Sequence, residues 1–500
     1  MNTGLGGGGF MLVRSSNGSY EFIDFRETAP AAAFEDMYKN NEQASIEGGL
    51  ASGIPGEVRG LQHLHTNYGK LPWATVMQPA IKVARKGWRV NQDLVNYMAS
   101  AISTAKQNST SNFLVNDLEF AIDFAPQGTL LKLNDTITRK RYANTLETIA
   151  DQGPDAFYTG AIAQATINAL RAKNGTMTMS DLKNYTVAIR KPSSTTYRNN
   201  YKLTACSAPS GGEVALAILK IMEGYPLPSN KNLTTHRLDE AMKFAYGMRS
   251  NLGDPLFLPG INKYQEEMIS AATAAEVRSK IDDYKTFNVS YYDPEGFESL
   301  ETPGTSHIVT ADASGMSITL TTTVNLLFGS KLVVPETGVI MNNEMNDFSI
   351  PGVSNAFGFI PSPANFIRPG KRPLSSISPV IVEHLNAHNS PSAFYVAIGA
   401  AGGSRIITAT AQNTLHILDS NLTVPQALAQ PRIHDQLIPA AVNFEYAFDN
   451  STTAFLKEVG ANVTWSAPGG STAQGLRRLG NGTFEAAGEP RQKNSGGFVL

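Results

Sequence analysis

A layered α/β fold, completed only when both parts of the chain come together, is predicted by two observations. Before Thr305 most periodic segments have the spacing of helices. After it, short runs rich in Val, Ile, Thr and aromatic residues alternate with helical ones. A chain of 500 residues with 42% hydrophobic content can also bury a large core.

The chain opens on a glycine loop, "GLGGGG", that satisfies G-x-G-x-x-G at Gly4, Gly6 and Gly9. A dinucleotide fingerprint needs a strand before it and a helix after it, whereas here the strand-like "FMLVR" follows. The glycines are therefore expected at a tight backbone crossing. Two apolar runs around Asn17-Gly18 predict a β-hairpin. In "ATVMQPAIKVARKGW", Val76, Ala80, Val83 and Ala84 share a helical face, with Gly87 placed as its C-terminal stop. "TGAIAQATINALRAKNG" predicts a helix stopped at Asn174-Gly175, and "HRLDEAMKFAYGMRS" one that buries Leu238, Ala241, Met242 and Ala245. Segment 289–304 is acidic and turn-rich, the best internal linker. Beyond it, "HIVTAD", "MSITLTTTVN", "FYVAIGA" and "AVNFEYA" predict strands, and "SRIITATAQNTLHILDS" and "TVPQALAQ" predict helices.

A net charge of −2 and a pI near 6.5 leave no basic footprint for nucleic acid. No apolar run is long enough to span a bilayer. The single cysteine, Cys206, excludes an intrachain disulfide and reads as a packed thiol. Eleven Asn-x-Ser/Thr sequons occur, at Asn17, Asn108, Asn134, Asn174, Asn184, Asn232, Asn288, Asn421, Asn450, Asn462 and Asn481. Chance would supply about half as many. The surplus predicts a glycoprotein of the secretory pathway, extracellular, at the cell surface or vacuolar. The first residues lack the charged and apolar regions of a signal peptide.

Several catalytic readings fail. There is no G-x-S-x-G elbow and no Walker-type Gly-Lys-Ser/Thr. His384 and His388 in "EHLNAH" have helical ligand spacing but lack the zincin glutamate, so they read as a surface pair; no metal or cofactor is expected. Thr305 remains. A threonine hydroxyl is a poor nucleophile without a base. Cleavage of Gly304–Thr305 would supply one, an α-amino group of ordinary pKa about 7.7–8.0. Around it stand groups suited to an α-amino-acid head. Arg26 in "DFRETAP" could grip a carboxylate, and Glu344 and Asp347 in "MNNEMNDF" could face an ammonium. Ser375 and Ser376 in "KRPLSSISP" offer hydroxyls, while Thr323 and Asn325 close the strand "SITLTTTVN". Gly402 and Gly403 in "AIGAAGGSR" could offer backbone N–H groups as an oxyanion hole.

These stretches, with "GGGGFMLV", "GIPGEVRGL", "QPAIKVARKGW", "GPDAFYTG", "MTMSDLKNY", "APSGG", "LGDP", "GTSH" and "FGSKLVVPETGVIMNNEMNDFS", closely resemble the γ-glutamyltransferases, self-cleaving N-terminal-nucleophile hydrolases. The resemblance covers essentially the whole chain. It implies a four-layer αββα sandwich built jointly by a large subunit, residues 1–304, and a small one, residues 305–500, both from one precursor. It implies that Thr305 takes the γ-glutamyl group from glutathione or another γ-glutamyl compound, and passes it to water, an amino acid or a dipeptide. Thr323 would orient the nucleophile, and Gly402 and Gly403 would hold the oxyanion. Arg26, Ser375 and Ser376 would bind the donor carboxylate; Asn325, Glu344 and Asp347 its ammonium. Phe357 would stand as an aromatic gate in a lid loop. Members of the family carry several tens of residues before the glycine loop, so this chain is expected to be short at its N-terminus. Two other readings stay open: a glutaryl-type acylase of the same fold, and a catalytically inactive glycoprotein relative.

Overall fold

The computed structural model describes residues 2–107, 112–227, 229–297, 304–352, 360–385 and 391–500. Two antiparallel sheets form its centre. The first has five strands in the order Ala188–Arg190, Tyr20–Asp24, Gly8–Arg14, Ser317–Thr323, Ser306–Ala311. The second has six: Phe484–Ala487, Thr472–Arg478, Pro391–Ala401, Val380–Leu385, Tyr201–Ala205, Ser193–Tyr197. Each sheet takes strands from both sides of the 304/305 bond. The strands Ser306–Ala311 and Ser317–Thr323 of the first sheet lie against Pro391–Ala401 of the second.

Alternation along the first strands decides the layers. Phe10, Leu12 and Phe22 join the large core cluster shared with the second sheet, whereas Met11, Val13, Ile23 and Phe25 point the other way, toward Leu64 and Tyr68 of the helix Glu57–Tyr68. Each fully buried side chain of this size contributes about 1.5–3 kcal/mol. Outside the second sheet lie the helices Gly212–Glu223, Lys231–Arg249 and Arg405–Leu418. The first of these is buried from Gly212 to Met222, as a helix packed on several sides must be. Helix, sheet, sheet and helix make the four layers.

The glycine loop is the predicted close crossing. A Cβ on Gly7 would lie 2.0 Å from the Thr323 carbonyl oxygen, and one on Gly9 2.1 Å from that of Thr321. The hairpin forms around Gly18, and the helix Gly160–Ala172 stops before Asn174. In the helix Lys231–Arg249, Ala241, Met242 and Ala245 are buried as expected and Leu238 packs partly buried against the core.

Three expectations are corrected. The helix Trp73–Lys86 ends at Gly87 and buries Ala84 as predicted, but Ile81 is its other buried residue, while Ala80 is exposed and Val76 and Val83 are 45% and 50% exposed. The chosen stripe straddled the edge of the buried face. His384 lies on the strand Val380–Leu385, not a helix, and its ring packs against Tyr395 at 4.2 Å between centroids; His388 lies outside the described residues. The start of the expected linker is a short helix, Val289–Tyr292, with Tyr292 buried against Glu240. Cys206 is buried, and burial raises its thiol pKa well above normal, as a packed thiol requires.

Candidate active site

Strand register brings the site together at one end of the first sheet. Phe10 pairs with Asp24, which runs on to place Arg26 opposite Gly8. Gly8 pairs with Thr323, and Ser306 with Thr322, so Thr305 stands opposite Thr323. Arg26, Gly8, Thr323 and Thr305 thus form a row across four strands.

At one end of the row, Thr323 Oγ1 donates to the Gly304 carbonyl oxygen at 2.8 Å, and Thr305 Oγ1 also donates to that oxygen. Thr305 Oγ1 lies 3.5 Å from Thr323 Oγ1, and the Asn325 N–H donates to Thr323 Oγ1 at 2.8 Å. Asn2 Nδ2 reaches the Thr305 carbonyl at 3.5 Å. Gly304 has φ 138°, and a Cβ there would meet the Asn325 carbonyl oxygen at 2.3 Å, so only glycine fits before Thr305.

His307, next but one to Thr305, belongs to the core. Its Nδ1 is 2.9 Å from Thr321 Oγ1, and burial pushes its pKa down to about 3. It remains neutral and packs between the sheets.

At the other end, buried Arg26 donates through Nη1 to Glu344 and through Nη2 to Asp347. Nε donates to the Pro373 carbonyl at 3.3 Å. Burial alone would lower the guanidinium pKa, but Glu344 and Asp347 more than offset it, and the net shift is upward. The candidate cation and candidate acids thus hold one another. Glu27 adds a third acid. Burial pushes its pKa up to about 8, against the pull of Arg26, and burial also raises Glu344 well above the carboxylate range. Burial thus favours a bound proton on this pair of acids, and one proton between them would partner Glu344 Oε2 and one of the two unpaired Glu27 oxygens.

Ser375 and Ser376 follow Pro373 after one residue, Leu374. The Ser375 hydroxyl accepts from the Ile377 N–H at 3.2 Å, and that of Ser376 from Arg249 Nη2 at 3.1 Å. Gly402 and Gly403 occupy the turn between the strand ending at Ala401 and the helix beginning at Arg405, with φ 128° and 60°. Phe357 lies outside the described residues.

Sequence reasoning missed the side chains that tie these parts together. Asn343 accepts from the Leu326 N–H at 3.0 Å and through its carbonyl from Asn325 Nδ2 at 3.0 Å, joining the nucleophile's turn to the acidic segment. Asn365 donates to the Asp347 carbonyl at 2.7 Å and accepts from the Leu374 N–H at 3.0 Å. Asn342 donates to the Gly6 and Gly53 carbonyls at 2.7 and 2.8 Å. The pair of asparagines inside "MNNEMNDF" was the available signal, since fully buried asparagines need such partners.

Among the described residues one group has metal-ligand geometry, His236, Asp239 and Glu240. Lys243 already sits there, its ammonium 2.7 Å from Asp239 and 3.0 Å from Glu240. No helix among the described residues is long and apolar enough to cross a membrane.

The family model described as Gamma-glutamyltranspeptidase matches residues 1–499. A glutathione hydrolase proenzyme from Arthroderma benhamiae is 56% identical over 506 aligned residues, covering 100% of this chain and 84% of that one. A glutathione hydrolase from Aspergillus flavus is 47% identical, covering 100% and 82%. Among solved structures, cephalosporin acylase from Bacillus halodurans superposes with a TM-score of 0.83 at 24% identity, covering 100% of this chain and 88% of its own, a likeness of fold. Helicobacter pylori gamma-glutamyltranspeptidase gives a TM-score of 0.52 at 30% identity, covering 57% and 81%. With residues 1–499 matched by the family model and relatives of 56% and 47% identity aligned across its whole length, the chain belongs to the γ-glutamyltranspeptidase family.

Proposed function

We propose that the chain is a self-processing γ-glutamyltransferase and glutathione hydrolase whose nucleophile is Thr305. The observation that carries this reading is the Gly304 carbonyl, held by Thr323 Oγ1 beside the Thr305 hydroxyl. Attack of that hydroxyl on the carbonyl carbon forms an ester as the peptide C–N bond breaks, and the nitrogen takes the hydroxyl proton. Water then hydrolyses the ester, leaving a Gly304 carboxylate and a free Thr305 amine. Residues 1–304 become the large subunit and 305–500 the small one.

In turnover the Thr305 amine takes the hydroxyl proton as Oγ1 attacks the γ-carbonyl of glutathione or a conjugate, and returns it to the departing amine. Thr323 orients the hydroxyl, and the Gly402 and Gly403 N–H groups stabilise the oxyanion. Water resolves the acyl-enzyme to glutamate, or an amino acid or dipeptide takes the γ-glutamyl group. Three strand spacings separate the backbones of Arg26 and Thr305 by about 14 Å. An arginine side chain and the body of a γ-glutamyl group fill that span. The donor exchanges into the existing ion pairs, its carboxylate to Arg26 with the Ser375 and Ser376 hydroxyls, its ammonium to Glu344 and Asp347 with Asn325. Three acids beside one guanidinium favour an ammonium-bearing donor over a glutaryl one.

The sequons support passage through the secretory pathway, since nine of the ten described sequon asparagines are exposed and only Asn232 is half-buried. The test of function is turnover of a γ-glutamyl anilide beside a denaturing gel. The reading expects two fragments and activity, both absent in Thr305→Ala; processing and turnover unchanged in that variant would refute it.

A further inference from the structure

Away from the row of site residues, a cavity of about 300 Å³ opens among the helices outside the second sheet. That size is the low end of small-molecule sites. Tyr225, Leu238, Leu415 and Phe448 give it apolar walls. His416, in the last turn of the helix Arg405–Leu418, lines it, and its imidazole makes no hydrogen bond among the described residues. Burial pushes its pKa down to about 4, so it presents one N–H and one lone pair.

The charges on the lining are three cations, Arg198, Lys231 and Arg237, and one anion, Asp419. Two of the cations are committed. Arg198 bonds Asp419 at 2.7 and 2.8 Å, and Arg237 bonds Asp283 at 2.7 and 2.6 Å. Lys231 is held more loosely: its side chain is 59% exposed, its ammonium donates one long bond of 3.4 Å to the half-exposed Asp449, and it stands 5.4 Å from the Phe448 ring centroid. An apolar slot with an aromatic wall, one uncommitted imidazole and one loosely held ammonium at its mouth matches a flat apolar body carrying a single negative charge.

From this geometry we infer a second ligand site, for a small planar aromatic carboxylate, between the helices Lys231–Arg249 and Arg405–Leu418. Both helices run from this cavity to the active site. The first ends in Arg249, which holds the Ser376 hydroxyl, and the second starts beside Gly402 and Gly403. The 14 residues of the second helix span about 21 Å. The cavity is thus separate from the donor site yet braced by the same two elements.

The test is calorimetric titration of the full-length protein with 2-naphthoate and with its neutral counterpart 2-naphthamide. The inference expects saturable one-to-one binding of the carboxylate, with the amide about tenfold weaker. Lys231→Glu should weaken naphthoate by about tenfold or more, and Leu238→Trp should abolish binding by filling the slot. Anilide turnover without naphthoate should stay at the wild-type level in both, which confirms folding; if Leu238→Trp does not fold, Lys231→Glu and the amide comparison decide. No saturable binding to wild type, equal affinity for the amide, or undiminished affinity in Lys231→Glu would overturn it. Binding that survives these changes would belong to another site, Arg26 included.

Discussion

Thr323 Oγ1 donates a 2.8 Å hydrogen bond to the carbonyl oxygen of Gly304, the acyl half of the bond that leads into Thr305. The strand register explains the contact, since the Ser306–Thr322 pair leaves Thr305 and Thr323 facing each other one residue on. The hydroxyl sits where negative charge would gather if that carbonyl were attacked.

Thr323→Val keeps the shape of the side chain and removes this donor. Loss of one such donor costs about 10²–10³ in rate. The appearance of two fragments on a denaturing gel should therefore slow by at least about a hundredfold. Processing at the wild-type rate would show that the contact is structural only.

Arg26→Lys keeps a buried positive charge beside Glu27, Glu344 and Asp347 but loses the planar fork that serves Glu344 and Asp347 together. The donor KM should rise by about tenfold or more while self-cleavage proceeds, because Arg26 lies at the far end of the row from Gly304. Steady-state kinetics on the processed variant measure this. An unchanged KM would remove Arg26 from the donor site.

Stability should be greatest on the acid side of neutrality. Burial raises Glu27, Glu57 and Glu213 to about 8, 7 and 8, so each binds a proton in the folded state that it has lost in the unfolded chain. Their contribution is present in full below the ordinary carboxylate pKa and is lost as pH rises to about 8. Burial lowers His307, His434 and His416 to about 3, 3 and 4. Their contribution is present above the ordinary histidine pKa and is lost as pH falls through the folded values. The two sets oppose each other between about pH 4.5 and 6.5. Above that only the acids act, and Tm should fall from about pH 6.5 to 8. Glu57→Gln should flatten the fall; a Tm that climbs over that interval would contradict these environments.

The exposed sequons predict attached glycan. Endoglycosidase treatment of protein secreted from a fungal host should shift the gel band by several glycan masses, with Asn232 the least modified because its Oδ1 accepts from Thr452 at 2.8 Å. An unchanged band would remove the argument for the secretory route.

Much of this was legible in the sequence, and the reason differs by residue. Thr305 and Gly304 could be found because their chemistry is local: a hydroxyl and its own future amine, behind a residue that must be glycine. Arg26, Glu344 and Asp347 could be found as a charge inventory, but not as partners, since the contact joins residues 318 and 321 positions apart. Glu27 was passed over for the same reason. An acid after an arginine looks like an exposed neighbour until the fold buries it completely. Asn343, Asn365 and Arg249 act through other residues, so no local pattern marks them. Val76 and Val83 misled because an apolar stripe fixes a face only to within its own width, and the true face here is turned toward Ile81 and Ala84.

The most direct test is intact mass and N-terminal sequencing of the purified protein, run beside Thr305→Ala and paired with anilide turnover. The account predicts two polypeptides, the smaller beginning Thr-Ser-His, with activity in the wild type, and one uncleaved, inactive chain in the variant. A folded wild type with the 304/305 bond intact and turnover undiminished would contradict it.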